Sequence, residues 1–403
     1  MNQNVAGSQA ALAGLRVLDL SGAPGQYCGK LFADLGADVI LIEPPGGSPV
    51  RRQGPFIGDV RHPEASIPFT YLNTSKRSLC LDLDRHEDRQ LFRRLASGAD
   101  LVIDTEKPGR MAARGLGWGE LSKLRPSLVH TSITPFGQTG PCADWEADDL
   151  VLLALGGLLS LGGYADGEPI AVYGEQSYAA GSLFAAVASM AAVVGAERSG
   201  RGDFIDVSLQ EAVVMALENA AQFYDLEKVV RGRTGGKQAV SGNGQFPCKD
   251  GYVYVLGRGI SSPQFWINTM RWLNEENVEG AAELQEPRWV ERDFIFSEPA
   301  KVRFAQIFSS FASAHTKDEL YRAAKARRIP LAPVCAPSDV LKSEQLRYRG
   351  FFASVWNDFS KRNITLPGAP YRLQETPWRI GRAAPRMDEH RDEILRELQE
   401  LSS

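Results

Sequence analysis

The 403-residue sequence lacks most of the signatures that betray a chemistry directly. Its five cysteines, at 28, 80, 142, 248 and 335, contain no CxxC pair. Neither a disulfide framework nor a zinc ribbon fits that spacing, and reduced cytosolic thiols are the expectation. Five histidines, at 62, 86, 130, 315 and 390, form no HExxH or similar cluster, so no metal site is expected. No Lys/Arg block stands out, and 45 basic residues against 49 acidic ones leave a net charge of −4. That balance argues against a chain that coats nucleic acid. The first eleven residues have no basic n-region and no apolar h-region, so no signal peptide is expected. Only Gln176 to Ala196 approaches bilayer-spanning length without a charge. It is mostly Ala, Gly, Ser and Val, bounded by Glu175 and Glu197, which reads as a core helix rather than a membrane span.

Three nucleotide or hydrolase signatures fail on inspection. The opening strand, turn and helix resemble a dinucleotide fold, with Glu43 closing the second strand. Its glycines stand at 22, 25 and 29, however, with Pro24 inside the turn, and not at GxGxxG spacing. Gly232-Arg-Thr-Gly-Gly-Lys237 looks suited to phosphate. A P-loop would need Gly in place of Arg231 and a hydroxyl in place of Gln238. A flexible basic loop is the plainer reading, with a lid as its functional version. No serine sits in a GxSxG elbow, and Ser177, in Gly174-Glu-Gln-Ser-Tyr-Ala-Ala-Gly181, is no exception.

What is present is an ordinary globular composition, 43% apolar and 23% charged, with 39 Gly and 23 Pro spread along the chain. Leu15 to Leu20 is an apolar run closed by Ser21, Gly22, Pro24 and Gly25, and Gln26 to Leu35 has helical spacing. Asp38 to Glu43 is a second run, closed by Pro44-Pro45-Gly46-Gly47. Near-continuous apolar strands joined by helices predict a buried parallel sheet. The alternation continues with strands at 78–83, 100–104, 128–133 and 203–208 and helices at 86–97, 118–124 and 209–224. The fold class is therefore α/β, a Rossmann-like large domain with a smaller α/β domain. The composition turns basic and Gly-rich at 227–244. That places a domain boundary there, with a first domain over 1–226 and a second, smaller one over 227–332, followed by a mixed segment over 333–403 that ends in a charged helix.

The ordered set of motifs resembles the class III CoA-transferases (the CaiB/BaiF family). It comprises the stretch from Leu12 to Gly47, Asn73-Thr-Ser-Lys-Arg-Ser78, Gly137-Gln-Thr-Gly-Pro141, Ser199-Gly-Arg-Gly202 and Lys249-Asp-Gly-Tyr252. Arg328 to Pro333, Gly368-Ala-Pro-Tyr371 and Ala384 to His390 complete it. The resemblance implies an interlocked, ring-through-ring dimer whose large, Rossmann-like domain is built from both chain ends, residues 333–403 returning to it with the C-terminal helix. It also implies transfer of CoA from an acyl-CoA to a carboxylic acid through an aspartyl-CoA thioester. CoA thioesters enter as substrates, with no permanently bound cofactor, no metal, no nucleic acid and no membrane, in the cytoplasm.

Three positions depart from that pattern. The nucleophilic Asp is expected four residues before Gly181, where this chain has Ser177. A hydroxyl cannot form the acyl anhydride, and an unassisted serine is a poor nucleophile. Thirty residues upstream, where the family has Tyr or His, stands Ala147, followed by Asp148 and Asp149. The Asn-Phe pair that the resemblance places against the CoA adenine is replaced by Thr105-Glu106-Lys107 before Pro108-Gly109. Glu175 is the nearest substitute carboxylate, with a helix-capping role as its plain alternative. Lys76 and Arg77 are the expected CoA-phosphate contacts, with Arg51 and Arg52 as weaker ones. The pattern resembles the Asp-less subunit of a heteromeric, succinyl-CoA:benzylsuccinate type of CoA-transferase, partnered by a sister chain carrying the Asp. A self-sufficient homodimeric transferase, or an acyl-CoA racemase or lyase, using Glu175 is the first alternative. A non-catalytic acyl-CoA-binding or regulatory homodimer is the second.

Overall fold

The computed structural model describes residues 10–236, 238–259 and 263–400. The first nine residues, and Lys237 of the basic loop, lie outside them. The chain divides into two compact units. One comprises residues 1–159, 171–230 and 345–403, the other residues 160–170 and 231–344. The sequence boundaries of 226/227 and 332/333 compare with 230/231 and 344/345 here. The later return has a structural reason, because Leu331–Pro333 is a strand of the second unit's own sheet.

The first unit is built on a six-stranded parallel sheet. Its strands are β1 (Arg16–Leu20), β2 (Asp38–Glu43), β3 (Arg77–Cys80), β4 (Leu101–Asp104), β5 (Val129–Thr134) and β6 (Phe204–Ser208), in the order 3-2-1-4-5-6. β1 pairs with β2 from Arg16 opposite Asp38 and with β4 from Val17 opposite Leu101. The strand order reverses between β1 and β4, which is the topological switch point of such sheets. The helices are α1 (Gln26–Asp34), α2 (Ile67–Leu72), α3 (His86–Ser97), α4 (Arg110–Ala113), α5 (Trp118–Leu124), α6 (Asp149–Leu155), α7 (Gln176–Ser199), α8 (Leu209–Met215) and α9 (Ala220–Glu227). The single helix expected over 209–224 is two, because Glu218 takes a left-handed backbone (φ 52°) between α8 and α9. A hairpin of β10 (Phe352–Asn357) and β11 (Arg362–Pro367) and a last helix, Arg391–Glu400, complete the unit.

Apolar side chains fill both faces of this sheet. Val17, Val39, Leu101, Ile103 and Val129 face α1 and α7, while Leu18, Ile40, Val102 and Leu79 face α3 and the last helix. The 24-residue α7 is a core helix on one side. Ser177, Gly181, Ala185, Ser189, Val193 and Ala196 form its buried stripe. Gly181 has a steric reason, since a Cβ there would run into Leu209 of α8. The opposite stripe is uncovered, with Leu183 48%, Phe184 45% and Val187 70% exposed. The helix is long and apolar enough to cross a membrane by length and composition alone, yet its buried stripe seats it against β5 and α1.

Charges are also buried in this unit. Lys76, fully buried, donates to Asp19 Oδ2 at 2.7 Å, to the Gln26 carbonyl at 2.9 Å and to Asn73 Oδ1 at 2.9 Å. Gly29 on α1 makes room for this, because a Cβ there would collide with the Asp19 carboxylate. Arg51 forks onto both oxygens of Glu43 at 2.6 and 2.8 Å and lies over the Phe69 ring. These pairs tie β1, β2, α1 and the segment before β3 into one register.

The second unit has an antiparallel sheet of β7 (Asn243–Cys248), β8 (Gly251–Leu256) and β9 (Leu331–Pro333). It packs on α10 (Gln264–Glu275), α11 (Arg292–Phe296), α12 (Glu298–Ala312) and α13 (Lys317–Ala326). Its core is aromatic, with Trp266, Trp272, Trp289, Phe246, Phe304 and Phe308 in mutual ring contact. The basic loop is anchored within this unit, Arg233 donating to the Tyr164 and Gly167 carbonyls.

Removing one partner of a buried pair leaves the other charged and unsolvated. Lys76→Met is expected to lower the free energy of unfolding by about 3–5 kcal/mol in urea titration. Adding Asp19→Leu should recover most of that loss. A single variant within about 1 kcal/mol of the native protein would contradict a buried pair.

Candidate active site and nucleotide cavity

Two features lie at the carboxyl end of the parallel sheet. The first is the N-terminus of α7. Gly174 precedes it with φ 90°, and Glu175 is its N-cap residue but makes no side-chain capping hydrogen bond. The plain reading of Glu175 as a capping acid is therefore corrected. The helix end is satisfied instead by Asp149 of α6. Ser177 N–H donates to Asp149 Oδ1 at 2.8 Å, and Ser177 Oγ donates to the same oxygen at 2.6 Å. Ser177 is completely buried. Its hydroxyl is thus a structural donor, spent on a carboxylate and shielded from solvent.

Asp148 caps α6 by accepting from Val151 N–H at 3.1 Å, so Asp149 begins that helix. The run Asp-Asp before Leu-Val-Leu-Leu carries this N-terminal signal in the sequence. What the sequence does not carry is that Asp149 also closes the start of α7. Three acids, Asp148, Asp149 and Glu175, share this corner, and none is ion-paired to a cation among the described residues. Their field is visible in neighbouring groups. Loss of solvent pushes the Glu175 carboxyl up, and the Asp149 charge adds to it. Burial pushes the Tyr178 phenol up to about 12, helped by Glu175, Asp148 and Asp149. The corner offers negative charge and no fixed cation for an anionic substrate.

The second feature is a cavity of about 410 Å³ at the ends of β1 to β4. Ser21, Gly22, Glu43, Pro44, Ser48, Asp82, Thr105 and Glu106 are among its walls, with Arg110 and Arg114. The two features share one turn. Pro24 accepts from Ser182 Oγ of α7 at 3.0 Å, and Gly22 N–H donates to Thr105 Oγ1 at 2.8 Å. A crevice beside the switch point is where open parallel sheets bind nucleotides.

The sequence-derived phosphate contacts are not at this cavity. Lys76 has its three donors satisfied inside the protein, as described above. Arg77, 4% exposed, begins β3 and faces the other end of the sheet. There it pairs with Asp38 at 2.6 Å and with Glu397 and Glu393 of the last helix at 2.7 and 3.0 Å. Both expectations are corrected: two adjacent cations look alike in sequence whether they serve a ligand or a core. Arg51 is likewise internal. Arg52 is exposed, and its side chain reaches the Gly46 carbonyl at 3.2 Å. Among the described residues no cluster of three or more metal-ligating side chains occurs.

CoA-transferase family III, as a sequence family, matches residues 12–391. The chain is 40% identical to succinyl-CoA:(R)-benzylsuccinate CoA-transferase subunit BbsE of Thauera aromatica, over 94% of this chain and 92% of that one. It is 31% identical to the succinyl-CoA:mesaconate CoA-transferase of Haloarcula hispanica, over 96% of each. Its fold superposes on the crystal structure of a CaiB/BaiF family protein from Brucella suis with a TM-score of 0.86. That match has 26% identity and covers 97% of this chain and all of that one.

The raised Glu175 group gives a pH test. A native state that holds the proton more tightly than the unfolded chain is favoured at low pH and loses that advantage as pH rises through the native value. Glu175→Gln removes the loss. Its melting temperature should match the native protein below the ordinary carboxyl range and exceed it at neutral pH, the gap opening as pH rises above that range. A gap independent of pH would show that Glu175 feels no such field.

Proposed function

The chain belongs to CoA-transferase family III, and on that premise we propose that it is the non-catalytic subunit of a heteromeric CoA-transferase. The assembled enzyme moves CoA from succinyl-CoA to a carboxylic acid of the benzylsuccinate kind. The sister subunit carries the aspartate that becomes the aspartyl-CoA thioester. CoA thioesters are substrates of this cytoplasmic assembly, which needs no resident cofactor, no metal, no nucleic acid and no membrane.

The observation that carries the proposal is the state of Ser177. It stands where the resemblance puts the attacking carboxylate, is fully buried, and donates its hydroxyl hydrogen bond to Asp149. An attacking carboxylate must offer a free oxygen to the thioester carbonyl, and a hydroxyl would stop at an ester. The similarity to a protein named as a subunit supports the heteromer. So does the uncovered apolar surface of α6, α7 and α8, where Leu150, Leu155, Leu183, Phe184, Val187 and Met215 are 45–70% exposed. An exposed patch of this kind marks an association surface. An interlocked pairing with the sister chain would cover it.

One observation favours a second reading, a self-sufficient enzyme with Glu175 as nucleophile. Glu175 is exposed at the start of α7, and a raised carboxyl is a more basic nucleophile once ionised. Against it stand the neighbouring acids and the lack of a cation.

The test is transfer from succinyl-CoA to benzylsuccinate. The expected result is no turnover by the purified chain alone and turnover on adding the Asp-bearing sister chain. In that complex Ser177→Ala should keep kcat within about threefold, since it removes one hydrogen bond of about 1 kcal/mol and no reacting atom. Turnover by the chain alone, abolished by Glu175→Gln, would establish the second reading instead.

A further inference from the structure

The cavity at the strand ends has the position of a nucleotide site and the wrong charges for one. Four carboxylates line it, Glu43, Asp82, Asp84 and Glu106, against two cations, Arg110 and Arg114. Arg114 is held through Nε, Nη1 and Nη2, while Arg110, 51% exposed, is ion-paired through Nε alone. Glu106 holds Arg110 Nε at 3.1 Å through one oxygen and Arg114 Nη1 at 3.1 Å through the other. Asp84 takes Arg114 Nη2 at 2.8 Å and Nε at 2.9 Å. The Arg114 side chain is only 12% exposed, so its donors have no room to turn elsewhere. Glu43 is neutralised by Arg51 from behind, and Asp82 faces no cation within ion-pair distance among the described residues.

The root of Glu106 is fixed in the core. Its backbone N–H donates to Asp104 Oδ1 at 2.9 Å. The same carboxylate receives Ser132 Oγ at 3.2 Å and stands 2.7 Å from His130 Nε2. Asp104, His130 and Ser132 are all buried. Glu106 is therefore held over the cavity by β4 and β5 and is not a side chain at the tip of a loose loop.

We propose that Glu106 is an internal carboxylate plug that holds Arg114 and neutralises Arg110, so that this chain does not take the phosphorylated adenosine of CoA. The inference rests on the family reading and extends it: a heteromer built with this chain binds one CoA per pair of chains. The physical reason is simple. Phosphate is recognised by unpaired, charge-assisted N–H donors. Here a phosphate would have to displace Glu106 and Asp84 from Arg114, and at Arg110 it would lie beside the Glu106 carboxylate and Asp82.

Adenosine 3′,5′-bisphosphate is the probe, titrated calorimetrically into the full-length protein and its variants. Glu106→Gln keeps the size of the side chain and removes its charge. It should bind the probe at least about tenfold more tightly than the native chain, since Arg110 and Arg114 Nη1 lose their anionic partner. Adding Arg114→Ala to Glu106→Gln should erase that gain. Asp84→Asn, on the exposed side of the cluster, should give a smaller gain, and it carries the test if Glu106→Gln fails to fold. In the native complex CoA should saturate at one per pair of chains. Equal affinity of native protein and Glu106→Gln, a gain that survives Arg114→Ala, or two CoA per pair would each overturn the plug. Probe binding involves no acyl transfer, so the plug can fail while the Ser177 reading stands, and the reverse.

Discussion

A 24-residue helix that is apolar around its whole circumference, but covered along one stripe, is the constraint on which this chain depends. Small residues on the covered stripe of α7 let it lie close against β5, α1 and α8. Its N-terminus arrives, in consequence, at the carboxyl end of the sheet. Large residues on the other stripe, Leu183, Phe184 and Val187, have nothing over them. Each such side chain contributes about 1.5–3 kcal/mol when fully buried, so a covering chain is worth many of them together. The same helix thus fixes the candidate site and calls for a partner.

Charge is distributed to match a scaffold more than a catalyst. The buried cations serve the fold: Lys76 on Asp19, Arg51 on Glu43, Arg77 between Asp38 and the last helix. At the strand ends the exposed Arg110 and the largely buried Arg114 serve Glu106 and Asp84. The start of α7, which in a transferase must receive an acyl-CoA and a carboxylate anion, gathers three acids and no cation. A positive helix end is still compensated, but by Asp149 from a neighbouring helix in place of a carboxylate at position 177.

Much of the fold was legible in the sequence because it obeys local rules. Short, β-branched apolar runs such as Val39-Ile-Leu-Ile42 read as strands buried on both faces once the closing turns of Pro and Gly mark their ends. Asp38–Glu43, His86–Ser97 and Trp118–Leu124 coincide with the elements observed. Ser177 and Glu106 stand out in the sequence only through the resemblance, as departures from the pattern it implies. The failures share one cause, which is that burial is a three-dimensional property. Lys76 and Arg77 look like a solvated pair beside a strand, and nothing near them in sequence shows that Asp19, Asp38 and Glu397 enclose them. Asp149 meets Ser177 across 28 positions of chain, and only the packing of α6 on α7 reveals it.

The central claim is that the covalent chemistry happens on the sister chain and not on this one. The direct measurement is intact and peptide mass spectrometry of the assembled complex, quenched during turnover with succinyl-CoA. The expected result is a CoA thioester on one aspartate of the sister chain and unmodified Glu175, Asp149 and Ser177 here. A CoA or succinyl adduct on any of those three residues would contradict the assignment of this chain as the non-catalytic half.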